Sequence, residues 1–199
     1  AVPVPFTSLI NVNDLAQLAT PEWRVFDCRF SLAAPLFGRQ AYAAGHLPGA
    51  FFLDLEEDLS GPVTGRNGRH PLPAPGLLAD KLGSLGVGDQ TQVVAYDDAG
   101  GMFAARLWWL LRWLGHSQVA VLNGGLQAWV SSSHPLSAET PEAHAAAFTL
   151  KLQNGMKVDA DYVQHHLGSP EMLLIDARSP DRYRGENETL DPVGGHIPG

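Results

Sequence analysis

Two motifs decide the fold: Phe26-Asp27-Cys28-Arg29 and, further along, Gly45-His46-Leu47-Pro48-Gly49. Both recur, as Ile175-Asp176-Ala177-Arg178 and Gly195-His196-Ile197-Pro198-Gly199. The Asp positions are 149 residues apart (176 − 27) and the His positions 150 (196 − 46). A nearly constant shift over two separate motifs favours two copies of one unit. A period this long is typical of tandem domains and not of a solenoid.

Around the first copy, short apolar runs alternate with helical segments. The predicted strands are Trp23–Asp27, Phe51–Leu53, Gln92–Tyr96 and Val119–Leu122, and the predicted helices are Val12–Ala19, Leu77–Leu85 and Phe103–Leu114. Strands that alternate with helices favour an α/β fold in which helices cover both faces of a parallel-rich sheet.

The second copy is shorter. Residues 131–147 are rich in Ser, Pro, Ala and Glu, which is typical of a linker. A strand-like segment at Phe148–Leu152 and a helix at Asp159–Leu167 are predicted to follow. We therefore expect a first domain over residues 1–130, the linker, and the N-terminal part of a second domain over residues 148–199.

Composition excludes several function classes. Thirteen basic against 21 acidic residues give a net charge of −8, a poor electrostatic match for nucleic acid or an anionic membrane. No apolar run has the length that a transmembrane helix needs. The single cysteine, Cys28, rules out an internal disulfide and suits a reducing compartment, so we predict a cytoplasmic protein.

The motifs resemble those of a known family. Tyr42–Ala50 resembles the N-terminal signature of rhodanese domains, and Asn123–Trp129 resembles their C-terminal signature. Tandem rhodanese domains are the arrangement of thiosulfate and 3-mercaptopyruvate sulfurtransferases. The resemblance implies two rhodanese-like domains, each a parallel-rich sheet flanked by helices, with the second incomplete here. It also implies transfer of sulfane sulfur from a small anionic donor to cyanide or a thiol, by a monomer that uses a cysteine persulfide and no metal or organic cofactor.

In this family the nucleophilic cysteine lies in a strand-to-helix loop, usually of the second domain, where backbone N–H groups favour the thiolate. In the first copy this position is Asp97, which cannot form a persulfide but can stabilise the N-terminus of the next helix. Asp97 follows Gly49 by 48 residues, so the same spacing after Gly199 places the second nucleophile near position 247 (199 + 48). We therefore expect no catalytic residue in this chain, an inactive fragment and a longer parent enzyme.

Several polar residues near the motifs are predicted to be structural. Cys28 takes the position of Ala177 in the second copy, which suggests a small buried slot; the alternative is that Cys28 itself carries sulfur. The Asp-x-Arg pairs are interpreted as hydrogen-bonded strand ends. His46 and His196 can bridge backbone groups in their turns. The histidines show no spacing typical of metal ligands, so no metal site is predicted.

The resemblance implies three substrate-binding candidates. Arg182 occupies a position that faces the active-site pocket in the family, and its guanidinium suits an anionic donor. Arg184 is the second candidate, and a surface ion pair is the alternative for both. His70 occupies a position near the catalytic loop in relatives, where Asp54 or Glu56 could pair with it; a solvated loop is the alternative.

A rival hypothesis belongs to another class: a non-catalytic rhodanese-like module that binds a partner or senses an anion. It is favoured because no loop in this sequence contains cysteine at the nucleophile position. The sequence leaves the choice between thiosulfate and 3-mercaptopyruvate open, although Thr189–Pro192 occupies a stretch where mercaptopyruvate-using relatives often have a second Arg.

Overall fold

The structure, a computed structural model, describes residues 4–198. The chain divides into two compact units, of which unit 1 ends at Asn154 and unit 2 begins at Gly155. The predicted second domain starts at residue 148, seven residues before this division (155 − 148). The residues between are tied to unit 1, because the Lys151 N–H donates to the Leu114 carbonyl and the Gln153 N–H to the Trp113 carbonyl.

Unit 1 contains a five-stranded parallel sheet in the order β1-β5-β4-β2-β3. Its strands are β1 (Leu9–Ile10), β2 (Arg24–Asp27), β3 (Phe51–Phe52), β4 (Val93–Tyr96) and β5 (Val119–Leu122). Its helices are α1 (Val12–Leu18), α2 (Phe37–Ala44), α3 (Pro75–Ser84), α4 (Ala104–Trp113) and α5 (Gly125–Ser131). The parallel α/β fold is therefore confirmed for unit 1.

The core lies against the central strand β4, all four residues of which are buried. Because successive side chains of a strand point to opposite faces, such a strand must be covered on both sides. On one face Val94 and Tyr96 pack with Leu15 of α1 and Trp129 of α5. The register pairs Asp27 of β2 with Tyr96 of β4, so polar side chains meet at the carboxyl ends of these strands.

Unit 2 contains a 3₁₀ turn, Asn154–Met156, at its start and two helices, α6 (Ala160–His166) and α7 (Pro180–Tyr183). The predicted helix at Asp159–Leu167 is confirmed as α6, which Asp159 caps by accepting from the Tyr162 N–H at 2.8 Å. Gly199, the last residue of the second predicted turn, lies outside the described residues.

The predicted strand at Phe148–Leu152 is not formed. This segment has no regular secondary structure, bonds to loop and helix ends of unit 1 and joins no sheet. The segment from Leu173 to Ile175, the counterpart of β2, is also unpaired, and these two residues are 84% and 76% exposed. A strand needs neighbours to satisfy its backbone groups. Strand β2 has β3 and β4, whereas the described residues of unit 2 supply no such partner.

Candidate functional site

In the loop after β4, backbone N–H groups donate to the carboxylate of an aspartate in the same loop. Asp97 is 1% exposed and accepts four backbone N–H bonds of 2.8–2.9 Å. The donors are Ala99, Gly101, Phe103 and Ala104. The last of these residues begins α4, so the carboxylate also lies at the positive end of that helix. The N–H groups that would bind an external anion in such a loop are therefore bound to Asp97 itself.

Cys28 lies directly after β2 and is 1% exposed. Burial raises the pKa of its thiol well above the ordinary value, and the negative charges of Asp27, Asp97 and Asp58 raise it further. A nucleophilic cysteine needs the opposite surroundings, electropositive and accessible. The geometry agrees with the structural interpretation of this residue.

A buried polar network centred on Asp27 joins β2 to β4. Arg29 donates from Nε and Nη2 to the Asp27 carboxylate at 2.6–3.0 Å and from Nη2 to the Gly45 carbonyl at 2.7 Å. The Tyr96 hydroxyl donates to Asp27 Oδ2 at 2.7 Å and accepts from the Leu47 N–H at 3.1 Å. Burial is the main cause that raises the Tyr96 pKa, and the neighbouring Asp27 adds to it. This network fixes the Gly-His-Leu-Pro-Gly turn to the sheet.

Unit 2 repeats this geometry. Arg178 donates to Asp176 at 2.6–3.2 Å and to the Gly195 carbonyl at 2.6 Å, as Arg29 does to its own partners. Hydrogen bonds from Arg178 lower the pKa of Asp176 to about 2. The His196 ring stacks on Tyr183 at 3.7 Å, and the His46 ring stacks on Tyr42 at 3.8 Å. The repeat read from the sequence is therefore a repeat of side-chain geometry.

Arg182 lies on α7 between two carboxylates. Its Nε and Nη2 donate to Glu188 at 2.9–3.2 Å, and Nη2 donates to Asp191 at 2.9 Å. Glu188 also accepts the backbone N–H groups of Leu190 and Asp191, which are the largest cause that lowers its pKa to about 2, with Arg182 adding to the effect. Arg184 is half-exposed and pairs with Glu186 at 2.8 Å instead. The two arginines therefore belong to separate clusters.

His70 lies in the long loop between β3 and α3. Its Nε2 is 3.5 Å from Glu56 Oε1, and its ring meets the edge of Phe30 at 6.3 Å between centroids. Of the two acids predicted to pair with it, Glu56 is therefore the neighbour. Asp54 has another use, since it accepts the backbone N–H groups of Glu56 and Glu57.

Three further residues of these clusters were not singled out from the sequence. Arg106 of α4 donates to the carbonyls of Leu59 at 2.8 Å and Pro71 at 3.0 Å, and so fixes the loop that carries His70. A lone arginine within an apolar helix is a signal that could have identified it. Tyr96 ends a predicted strand, but its pairing with Asp27 is seen only in the structure. Glu188 carries no comparable signal in the sequence.

Unit 2 contains an open, largely apolar cleft of about 560 Å³. Asp176, Arg178, Tyr183 and His196 line it together with apolar residues that include Ile175. Within residues 4–198 no group of His, Cys, Asp or Glu side chains is arranged to hold a metal ion. No helix in the same part of the chain is long and apolar enough to cross a membrane.

The parallel sheet of unit 1 places a polar cluster and a self-bonded loop at the carboxyl ends of its central strands, an arrangement of the α/β class. Residues 12–132 match the rhodanese-like domain family. The chain therefore belongs to the rhodanese-like family, as its motifs predict.

Two curated relatives extend the likeness beyond unit 1. A probable 3-mercaptopyruvate sulfurtransferase of Pseudomonas aeruginosa is 47% identical over 186 residues, which are 92% of this chain and 66% of that protein. The thiosulfate sulfurtransferase of Bos taurus is 36% identical over 208 residues, 98% of this chain and 68% of that protein. The chain thus spans about two thirds of the length of these relatives.

Solved structures agree with this assignment. SseA of Escherichia coli, described with the rhodanese fold of 3-mercaptopyruvate sulfotransferases, superposes with a TM-score of 0.83 at 30% identity, covering 98% of this chain and 73% of that one. The 3-mercaptopyruvate sulfurtransferase of Leishmania major gives a TM-score of 0.80, also at 30% identity, covering 96% and 52% of the two chains.

Proposed function

We propose that this chain belongs to a sulfurtransferase that moves sulfane sulfur from thiosulfate or 3-mercaptopyruvate to cyanide or a thiol. The names of the relatives, which are sulfurtransferases with one or the other donor, support the proposal. Double displacement suits this chemistry, because a thiolate takes the sulfur from the donor as a persulfide and the persulfide then passes it to the acceptor. We further propose that the enzyme is monomeric and cytoplasmic.

The observation that carries the proposal is the repeated geometry. Asp27 with Arg29 in unit 1 and Asp176 with Arg178 in unit 2 make the same bonds, each to a glycine carbonyl of the following turn. Two units with one local architecture are what a tandem rhodanese arrangement requires. In this proposal residues 148–199 form the N-terminal part of a second rhodanese-like domain.

The nucleophile is proposed to be a cysteine near position 247 (199 + 48), outside this sequence. Unit 1 is unsuited to the step for two reasons. Its loop after β4 is filled by the Asp97 carboxylate, and Cys28 is buried with a raised pKa. A carboxylate at the nucleophile position would also repel an anionic sulfur donor.

Arg182 is proposed to bind the donor, with Arg184 and His70 as further contacts. The bonds to Glu188 and Asp191 use Nε and Nη2 of Arg182, so the guanidinium is held in one orientation. The half-buried side chain, 19% exposed, also limits competition from water. Glu56 is proposed to orient the His70 ring from 3.5 Å.

The test compares two proteins by intact mass before and after incubation with thiosulfate or with 3-mercaptopyruvate. One is this chain, and the other is the product of its coding sequence read past position 247 (199 + 48). We expect the longer protein to gain one sulfur atom, to lose it to cyanide, and to carry it on a cysteine near that position. This chain alone should gain none.

Steady-state kinetics of the longer protein test the donor contact. Arg182→Ala should raise the donor KM about tenfold or more, the order of one charged hydrogen bond. Arg184→Ala, which removes the weaker of the two proposed arginine contacts, should raise the donor KM less. A donor KM that is unchanged in Arg182→Ala would remove Arg182 from the donor site.

The alternative is a non-catalytic rhodanese-like module that binds a partner or an anion. The Asp97 loop favours it for unit 1, because that loop is complete without any ligand. An aspartate near position 247 (199 + 48) and no sulfur gain by the longer protein would establish this alternative and overturn the sulfurtransferase proposal.

A further inference from the structure

His46 is fully buried, and both of its ring nitrogens face main-chain carbonyl oxygens. Nδ1 is 2.7 Å from the Tyr42 oxygen, and Nε2 is 2.9 Å from the Glu139 oxygen. A carbonyl oxygen only accepts hydrogen bonds, so each nitrogen must donate one. A neutral imidazole has one N–H, whereas the imidazolium has two. Only the protonated ring can donate both bonds at once.

The stacking partner of the ring suits a cation. His46 stacks on Tyr42 at 3.8 Å and an interplanar angle of 10°, which places the charge over an aromatic face. The Tyr42 hydroxyl is fixed in turn, because it donates to the Ala50 carbonyl at 2.7 Å. Burial raises the pKa of Tyr42, so this ring stays neutral.

The other titratable groups packed around the turn do not compete for this proton. From β2, the Asp27 carboxylate is neutralised by Arg29, which bonds the carbonyl of Gly45 next to the histidine. From β4, Tyr96 bonds the Leu47 N–H on the other side and has a raised pKa. From the opposite side comes the segment of residues 134–140, whose Glu139 is exposed to solvent and whose Thr140 hydrogen-bonds the Tyr42 side chain.

This segment, residues 134–140, is here named the strap. Its main chain pairs with His46 in both directions: the His46 N–H donates to the Ser137 carbonyl, and the Ser137 N–H donates to the His46 carbonyl, each at 2.8 Å. Trp129 Nε1 adds one bond to the Pro135 carbonyl at 2.8 Å. The strap forms no helix or longer ladder, so its attachment centres on His46.

We propose that His46 is a proton-operated clasp, meaning that its protonated ring holds the strap against the rest of unit 1. Loss of the ring proton removes one of the two side-chain bonds and turns a nitrogen lone pair toward a carbonyl oxygen. The strap then opens as pH rises, while the chain beyond it stays anchored through Ala146, whose N–H donates to the Gly83 carbonyl at 2.9 Å. This device is independent of sulfur transfer.

Unit 2 supplies an internal reference. His196 makes the same first bond, from Nδ1 to the Tyr183 carbonyl at 2.7 Å, and the same ring stack. Its ring is exposed, however, and within residues 4–198 its Nε2 has no hydrogen-bond partner. One histidine is therefore clamped at both nitrogens and its counterpart at one.

The first measurement is the long-range ¹H–¹⁵N correlation spectrum of the histidine rings in the ¹⁵N-labelled chain, from about pH 6 to pH 9. While the strap is closed, both ring nitrogens of His46 should carry a proton. A neutral His46 ring with one unprotonated nitrogen while the strap is closed would overturn the proposal.

The second measurement is the hydrogen-exchange protection factor of the Ser137 amide, which corrects for the intrinsic pH dependence of exchange. It should fall about tenfold in step with deprotonation of His46. Global stability is a poorer readout, because burial lowers the pKa of His116 and protonation of that residue destabilises the fold at low pH. A protection factor that does not change with pH would also overturn the clasp.

Two substitutions complete the test. His46→Gln keeps a side-chain donor but cannot titrate, so Ser137 protection should lose its pH dependence. His196→Gln, the matched variant in unit 2, should leave that dependence as in the unaltered chain. An unaltered pH dependence in His46→Gln would assign it to another group and overturn the proposal. If His46→Gln does not fold, the titration of the unaltered chain decides.

Discussion

Unit 1 and unit 2 hold the same polar motif in different surroundings. The Asp27 and Arg29 side chains are 0% and 6% exposed, whereas Asp176 and Arg178 are 22% and 30% exposed, yet the bond lengths of the two pairs match. The bonds form in both places because the partners are close in sequence. The sheet of unit 1 adds burial. Local sequence is therefore enough to form these bonds, whereas burial by tertiary packing decides how much they contribute to stability.

The strongest test of this contrast removes the acid in each unit. Asp27→Ala leaves a buried guanidinium and a buried tyrosine hydroxyl without their partner, which should cost about 3–5 kcal/mol of unfolding free energy. All five tryptophans precede Gly155, so tryptophan fluorescence during denaturant unfolding reports unit 1 alone.

The matched variant is Asp176→Ala. It removes a partly exposed partner from Arg178, whose charge water can then solvate, so the tryptophan transition should stay where it is. The local Arg178 bonds should be lost, which the NMR signal of its Nε–H would report. Equal shifts of the tryptophan transition in the two variants would show that burial does not make the pair in unit 1 more important for stability than the pair in unit 2.

A smaller loss of unfolding free energy is expected when the acid in the loop after β4 is removed. Asp97→Ala removes the acceptor of four backbone N–H groups, of which those of Phe103 and Ala104 are buried. We expect a loss of about 2–4 kcal/mol by denaturant unfolding, less than for Asp27→Ala because water can reach part of the loop. Asp97→Asn, which keeps one oxygen, should be intermediate; an unchanged midpoint in Asp97→Ala would show that the carboxylate is not structural.

The fold of unit 1 could be predicted because its central strands are continuous apolar runs. Val119–Leu122 has the predicted bounds, and Val93–Tyr96 is one residue shorter than predicted. Helix α2 was missed, and only Gly38 and Tyr42 of its eight residues are buried. The two-residue strand β1 is too short to leave a pattern.

The candidate site was less predictable. The pairing of Asp27 with Arg29 follows from neighbouring positions, and so does that of Asp176 with Arg178. The cluster of Arg182 with Glu188 and Asp191 depends on how an irregular loop folds back, which hydrophobic periodicity does not encode. The strand predicted at Phe148–Leu152 did not form, because pairing depends on partners and not on composition.

The smallest predicted loss of stability concerns the position of Cys28, where the two units differ by one side chain. Cys28→Ala makes unit 1 match unit 2, where Ala177 occupies the equivalent place. The change removes one buried sulfur and should cost about 1 kcal/mol at pH 7, measured by tryptophan fluorescence during unfolding. In the unaltered chain the native thiol should resist iodoacetamide and react once the chain is unfolded.

The pH dependence of that cost follows from the raised pKa of the Cys28 thiol, which burial causes first and Asp27, Asp97 and Asp58 increase. The folded chain keeps the thiol proton, whereas the unfolded chain loses it above an ordinary pKa of about 8.5. The thiol's contribution is therefore full below that value and is lost as pH rises, so the cost of Cys28→Ala should shrink toward zero by about pH 9.5. A cost that stays constant, or a native chain that takes up sulfur from thiosulfate, would show that Cys28 is an accessible thiolate.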